Sequence, residues 1–122
     1  MLEKSRRIAR NRDFEEIFSR GKGTRLGGLF LKARLRQSFG GQAKESRGLA
    51  RFAVVVSKKV AMKAVKRNRI RRILREALRK TLPLVKQNVD AVLVVLPQFQ
   101  ARSLKEAAEA VQGLLRKALL IK

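Results

Sequence analysis

Between Ser57 and Lys80 the chain reads SKKVAMKAVKRNRIRRILREALRK, with eleven lysines or arginines against one acid, Glu76. Lys58, Lys59, Lys66, Arg67, Asn68, Arg69, Arg71, Arg72, Arg75 and Arg79 are the candidates there for binding phosphate. From Arg67 to Arg79 every basic residue is an arginine. Planar guanidinium forks suit bidentate contact with phosphate oxygens and stacking on bases. A face that served only solubility would mix charges; this one is almost purely basic and points to nucleic acid. A second group is aromatic: Phe14 and Phe18, four residues apart, and Phe30 beside Lys32 and Arg34. Phe14 and Phe18 fit ordinary core packing, and Phe30 with its neighbouring cations belongs to a strand face open to solvent.

The elements that must carry these groups are legible from periodicity. Residues 1–10 are basic and irregular and read as an arm. Asn11 is suited to cap a helix whose first turn holds Asp13, Glu15 and Glu16, acids that the helix dipole favours. Phe14, Ile17 and Phe18 share one face of it, and Gly21 supplies the stop. From Leu29 to Arg36 the residues alternate, with Leu29, Leu31, Ala33 and Leu35 on one side and Phe30, Lys32, Arg34 and Arg36 on the other, which predicts a strand. Residues 37–48 read as a loop and Arg51–Ser57 as a largely buried strand; there is room for a further strand near Gly21–Leu29.

The longest helical signal follows, with Val65, Ile70, Ile73, Leu74, Ala77, Leu78 and Leu82 on one stripe and Pro83 ending it. Arg67, Arg71, Arg75 and Arg79 recur every four residues and are expected opposite that stripe. Asp90–Leu96 reads as a short apolar strand closed by Pro97. Ser103 and Glu106 form a capping box for a final helix, whose apolar stripe runs from Leu104 through Val111 to Ala118. The order predicts one α+β domain, residues 1–122, with amphipathic helices on one face of a small sheet and Phe30, Lys32 and Arg34 on the other.

Composition narrows the function. The 31 lysines and arginines stand against 9 acids, a net charge of +22 over 122 residues. Such a chain is eased into compactness by a polyanion, and nucleic acid is favoured over a membrane surface because the cations are not confined to one exposed helix. There is no cysteine and no histidine, so disulfides, thiolate zinc sites, cysteine nucleophiles and imidazole acid–base catalysis are all excluded. The clustered acids Asp13, Glu15 and Glu16 are explained by the helix start, which leaves no evident protein-only active site. The charged N-terminus shows no signal peptide and the longest apolar run, Ala91–Leu96, is far short of a membrane span. The expectation is a soluble cytoplasmic protein. A structural RNA-binding protein of the ribosomal type fits the same composition.

The stretch Arg51–Arg79, RFAVVVSKKVAMKAVKRNRIRRILREALR, resembles the signature of the bacterial ribonuclease P protein: Ser57-Lys58-Lys59, then Arg67-Asn68-Arg69 opening a basic helix. Asn11–Phe18, NRDFEEIF, extends the resemblance upstream. The resemblance implies an α-β-β-β-α-β-α order with a small mixed sheet and a left-handed βαβ crossover, the fold of the second domain of ribosomal protein S5. It implies that the crossover around Arg67, Asn68 and Arg69, with Arg71, Arg72 and Arg75, contacts a catalytic RNA. It further implies that the 5′ leader of precursor tRNA lies in a cleft between the first helix and the sheet, near Phe14, Phe18, Phe30 and Lys32. The RNA then performs the hydrolysis with magnesium, and the protein holds no tight cofactor and has no obligate protein partner. Lys32 stands where many members carry an aromatic, Ala53 where glycine is common, and Val55 is bulkier than usual, which narrows the cleft.

Overall fold

The computed structural model describes residues 7–8, 11–35, 50–85, 89–99, 103–118 and 120. Helix α1 (Asn11–Arg20) leads into strands β1 (Lys22–Leu26), β2 (Leu29–Leu35) and β3 (Arg51–Val56). Helix α2 (Ala64–Thr81), strand β4 (Val89–Val95) and helix α3 (Leu104–Lys117) complete the order. The order is the one expected, and the further strand is β1. The loop expected over residues 37–48 lies outside the described residues. Asn11, expected as a cap, is the first residue of α1 itself.

The sheet runs β1-β2-β4-β3 and is mixed, with β4 antiparallel to β2 and parallel to β3. β1 and β2 form a hairpin through Gly27 and Gly28. Gly27 takes φ 60°, and a Cβ on Gly28 would meet the Phe99 Cα at 2.2 Å. One glycine is needed for the turn and the other for the close approach of a passing backbone.

Leu29, Leu31 and Ala33, with Phe52, Val54, Val56, Leu93 and Val95, form one buried face, packed by Leu74, Ala77 and Leu78 of α2 and Val111, Leu114 and Leu115 of α3. α3 starts at the expected cap, where Ser103 Oγ accepts the Glu106 N–H at 3.2 Å. Its last turn reaches the edge strand, with Lys117 Nζ donating to the Arg25 carbonyl at 2.8 Å. The helices do not all lie on this face: α1 crosses the other one, where Ile17 packs on Val92 with Ile8. Ile8 is held there because Arg7 bridges to Phe52 on the free edge of β3 and the Ile8 N–H donates to the Phe52 carbonyl at 3.0 Å; the rest of the arm expected over residues 1–10 lies outside the described residues.

Further expectations need refinement or correction. Val65 is not part of the buried stripe but 80% exposed. The reason is length: eighteen residues of helix span about 27 Å, while six or seven of strand span about 20–24 Å, so the first turn of α2 overhangs the sheet. β3 is largely buried, as expected, but alternates, with Phe52, Val54 and Val56 inward and Val55 exposed, because α1 covers only part of the second face. The arginine stripe of α2 is not opposite the apolar one. Each step of four residues drifts about 40° around a helix, so Arg67, Arg71 and Arg75 flank the buried face and only Arg79 becomes exposed.

Candidate nucleic-acid interface

On the α1 side, the register lines up three rows of side chains across the sheet. The first is Arg34, Asp90 and Arg51, the second Lys32, Val92 and Ala53, the third Phe30, Val94 and Val55. α1 lies over the first two. Asp90 is fully buried and accepts both the Arg51 Nε at 2.9 Å and its Nη2 at 2.8 Å. Asp13 of α1 stands 3.6 Å from the same guanidinium, and Glu16 of α1 pairs with Arg34. The hydrogen bonds to Asp90 hold the Arg51 pKa above its ordinary value, against the burial that would lower it. Buried pairs of this kind cost nearly as much desolvation as they return in attraction; what they fix is geometry. Here they fix where α1 sits. The acids of its first turn therefore do more than answer the helix dipole.

The third row stays open. Val55 is 39% exposed, and Phe30 and Val94 are half-buried. Phe14 packs against Ala53 and Val94 from α1, and Phe18, one turn on, is 46% exposed. Phe30 folds over β1: a Cβ on Gly23 would meet its ring at 3.0 Å, and the Arg25 guanidinium lies 5.7 Å from the ring centroid. The result is an apolar floor with aromatic and cationic borders, able to stack bases and accompany phosphates. Phe14 serves both as packing and as border, while Phe18 is exposed. Lys32 is half-buried in the row beside the floor, and Arg34 is committed to Glu16 beneath α1, away from the open row.

The basic segment follows β3 directly. Ser57 to Val60 form a turn closed by the Val60 N–H on the Ser57 carbonyl at 3.1 Å, which leaves Lys58 and Lys59 exposed. Arg67 reaches back from the first turn of α2 and donates Nη1 to the carbonyls of Ala61 at 3.0 Å and Met62 at 2.7 Å. It ties the connection to the helix. Lys66, Asn68, Arg69 and Arg72 point outward, with the Asn68 Oδ1 accepting from Arg71 Nη1 at 2.9 Å. Arg79 is exposed and hydrogen-bonded to Glu76, which lowers the glutamate's pKa. Arg71 and Arg75 are half-buried along the flank, beside Arg7.

The two groups of residues thus lie on different parts of the molecule, the aromatic one on the sheet and the basic one on the connection and α2. The sequence reading missed Arg51, Asp90, Arg25 and Arg7. A lone acid opening an otherwise apolar strand is the signal that could have marked Asp90; its partner depends on strand register, which no local pattern specifies. Among the described residues no three of His, Cys, Asp and Glu are grouped to hold a metal ion, and no helix is long and apolar enough to cross a membrane.

A family model described as Ribonuclease P matches residues 2–119. The chain is 34% identical over 97 residues to the ribonuclease P protein component of Synechocystis sp., which covers 80% of this chain and 72% of that one. It is 31% identical over 128 residues to the protein of the same description from Cyanothece sp., with 99% and 98% covered. The solved structure of the Staphylococcus aureus RNase P protein matches with a TM-score of 0.80 at 20% identity, covering 98% of this chain and 100% of the other. At that identity the structural likeness speaks for the fold.

Proposed function

The chain belongs to the ribonuclease P protein family, the protein component of the endoribonuclease that processes tRNA 5′ ends, and from that premise we propose how it works. It binds the catalytic RNA through Lys58, Lys59, Lys66, Arg69 and Arg72 on the connection and the outer face of α2. Arg67 holds that surface in shape, and Asn68, Arg71, Arg75 and Arg79 extend it. On the sheet it receives the single-stranded leader of precursor tRNA, with Phe30, Val94 and Val55 as floor and Phe14, Phe18 and Lys32 around it.

The observation that supports this reading best is the open third row beside α1. A protein that only propped up folded RNA needs no open apolar floor bordered by aromatic rings and cations. Hydrolysis falls to the RNA and its magnesium ions, because the chain has no histidine or cysteine and Asp13 and Glu16 of α1 are engaged by Arg51 and Arg34, away from the floor. The protein contributes binding energy and position, in the cytoplasm and without a further protein subunit.

The test is cleavage of precursor tRNA by the ribonuclease P RNA of the same organism at moderate magnesium, with and without the protein. The expected result is stimulated cleavage at the mature 5′ end and none by the protein alone. No stimulation would overturn the proposal in favour of a structural RNA-binding role.

A further inference from the structure

Arg75 lies within electrostatic reach of both Arg7, which bridges to the free edge of β3, and Arg71, one turn earlier on α2. Arg7 sits on the short segment that bridges to Phe52, and alternation sends its neighbour Ile8 to the α1 face, where it packs with Ile17 and Val92. Arg7 therefore faces the other way, toward α2. There Arg71 and Arg75 lie one turn apart on the half-buried flank of the helix. Among the described residues none of the three has an acid partner; Arg71 has only the Asn68 amide oxygen, and Glu76 is engaged by Arg79. The Nε of Arg7 is buried with no hydrogen-bond acceptor. Burial first, and then the charges of Arg7 and Arg71, lower the pKa of Arg75.

Buried donors are almost always satisfied, and like charges held together out of water need a counterion. An acceptor with several oxygens and at least one negative charge meets both demands, and a phosphodiester is such a group. We propose that Arg7, Arg71 and Arg75 form a clamp for one backbone phosphate of the catalytic RNA, extending the contact from α2 to the N-terminal segment. This rests on α2 being the RNA-binding surface. It adds Arg7, which neither the motif nor the helix pattern marks. It also explains why the N-terminal segment is pinned to β3: the pairing aims a third guanidinium at two others.

The test compares Arg7→Ala with Arg69→Ala in binding to the catalytic RNA across a salt series, using full-length protein whose fold is checked by circular dichroism. Arg7→Ala is expected to weaken binding about tenfold and to lower the salt slope by about one, with Arg7→Lys recovering the slope but only part of the affinity. Arg75→Ala is expected to do the same, and the Arg7→Ala, Arg75→Ala double variant to lose less than the sum, as members of one site do. If Arg69→Ala weakens binding and Arg7→Ala does not, the clamp is wrong while the α2 surface stands. If neither does, both are wrong. Inorganic phosphate separates the sources: thermal stabilisation by phosphate that Arg7→Ala abolishes, with RNA affinity unchanged, would mean a free-anion site and overturn the proposal.

Discussion

On one side of the sheet Leu29, Leu31, Phe52 and Leu93 meet two long helices through apolar contact alone; on the other, the same strands present Arg34, Asp90 and Arg51 to a ten-residue helix that answers with Glu16 and Asp13. The first face closes completely, with Leu29, Phe52, Leu74 and Leu114 at 0% exposure. The second closes over Asp90 and Val92 and leaves Phe30 and Val55 reachable. Apolar packing is non-directional and would let a short helix slide toward the exposed row and cover it. Ion pairs are directional, and they hold α1 at one end of the sheet. The difference teaches that a sheet face can be kept open by placing costly, orienting contacts where adhesive apolar ones would have closed it, and the open row is the one proposed for the leader.

The comparison is broken most forcefully at Asp90. Asp90→Ala leaves Arg51 half-buried with only the more distant Asp13, and is expected to cost about 3–5 kcal/mol of stability in urea unfolding. A cost below about 1 kcal/mol would mean that the pairs do not orient α1. Next is Ile17→Ala, which removes a fully buried side chain that α1 contributes to its small core, at about 2–4 kcal/mol. Native-state hydrogen exchange should then show α1 losing protection while β4 and α2 keep theirs, since the two faces are separate clusters. Uniform loss would show that they unfold as one. The smallest effect is expected from Phe18→Ala: about 1 kcal/mol, or roughly fivefold, weaker binding of precursor tRNA by the holoenzyme, with mature tRNA unaffected. Equal loss for both substrates would place Phe18 outside the leader site.

The architecture was legible in the sequence where one pattern fixed one element. Alternation from Leu29, the Ser103 cap and the stop at Pro83 all correspond to observed features. The Arg67-Asn68-Arg69 motif led to the family. What could not be read is what depends on two elements meeting. Arg51 and Asp90 are 39 residues apart and become partners only through the parallel register of β3 and β4. Arg34 looks like any outward cation on a strand until Glu16 arrives from α1. Val65 fits the apolar stripe by period, yet the stripe begins before the sheet does.

The place of β4 in the sheet has a consequence for the order of assembly. It lies between β2 and β3 yet comes after both in the chain. Until Val89–Val95 leaves the ribosome, the β1–β2 hairpin and β3 have no common neighbour, and a lone hairpin is marginal in water. The row of Phe30, Val94 and Val55 cannot exist before then, so a nascent chain carries the cations of α2 before it carries the open apolar row. On the proposed function, contact with RNA by charge alone comes first, and the floor proposed for the leader arrives with the last strand.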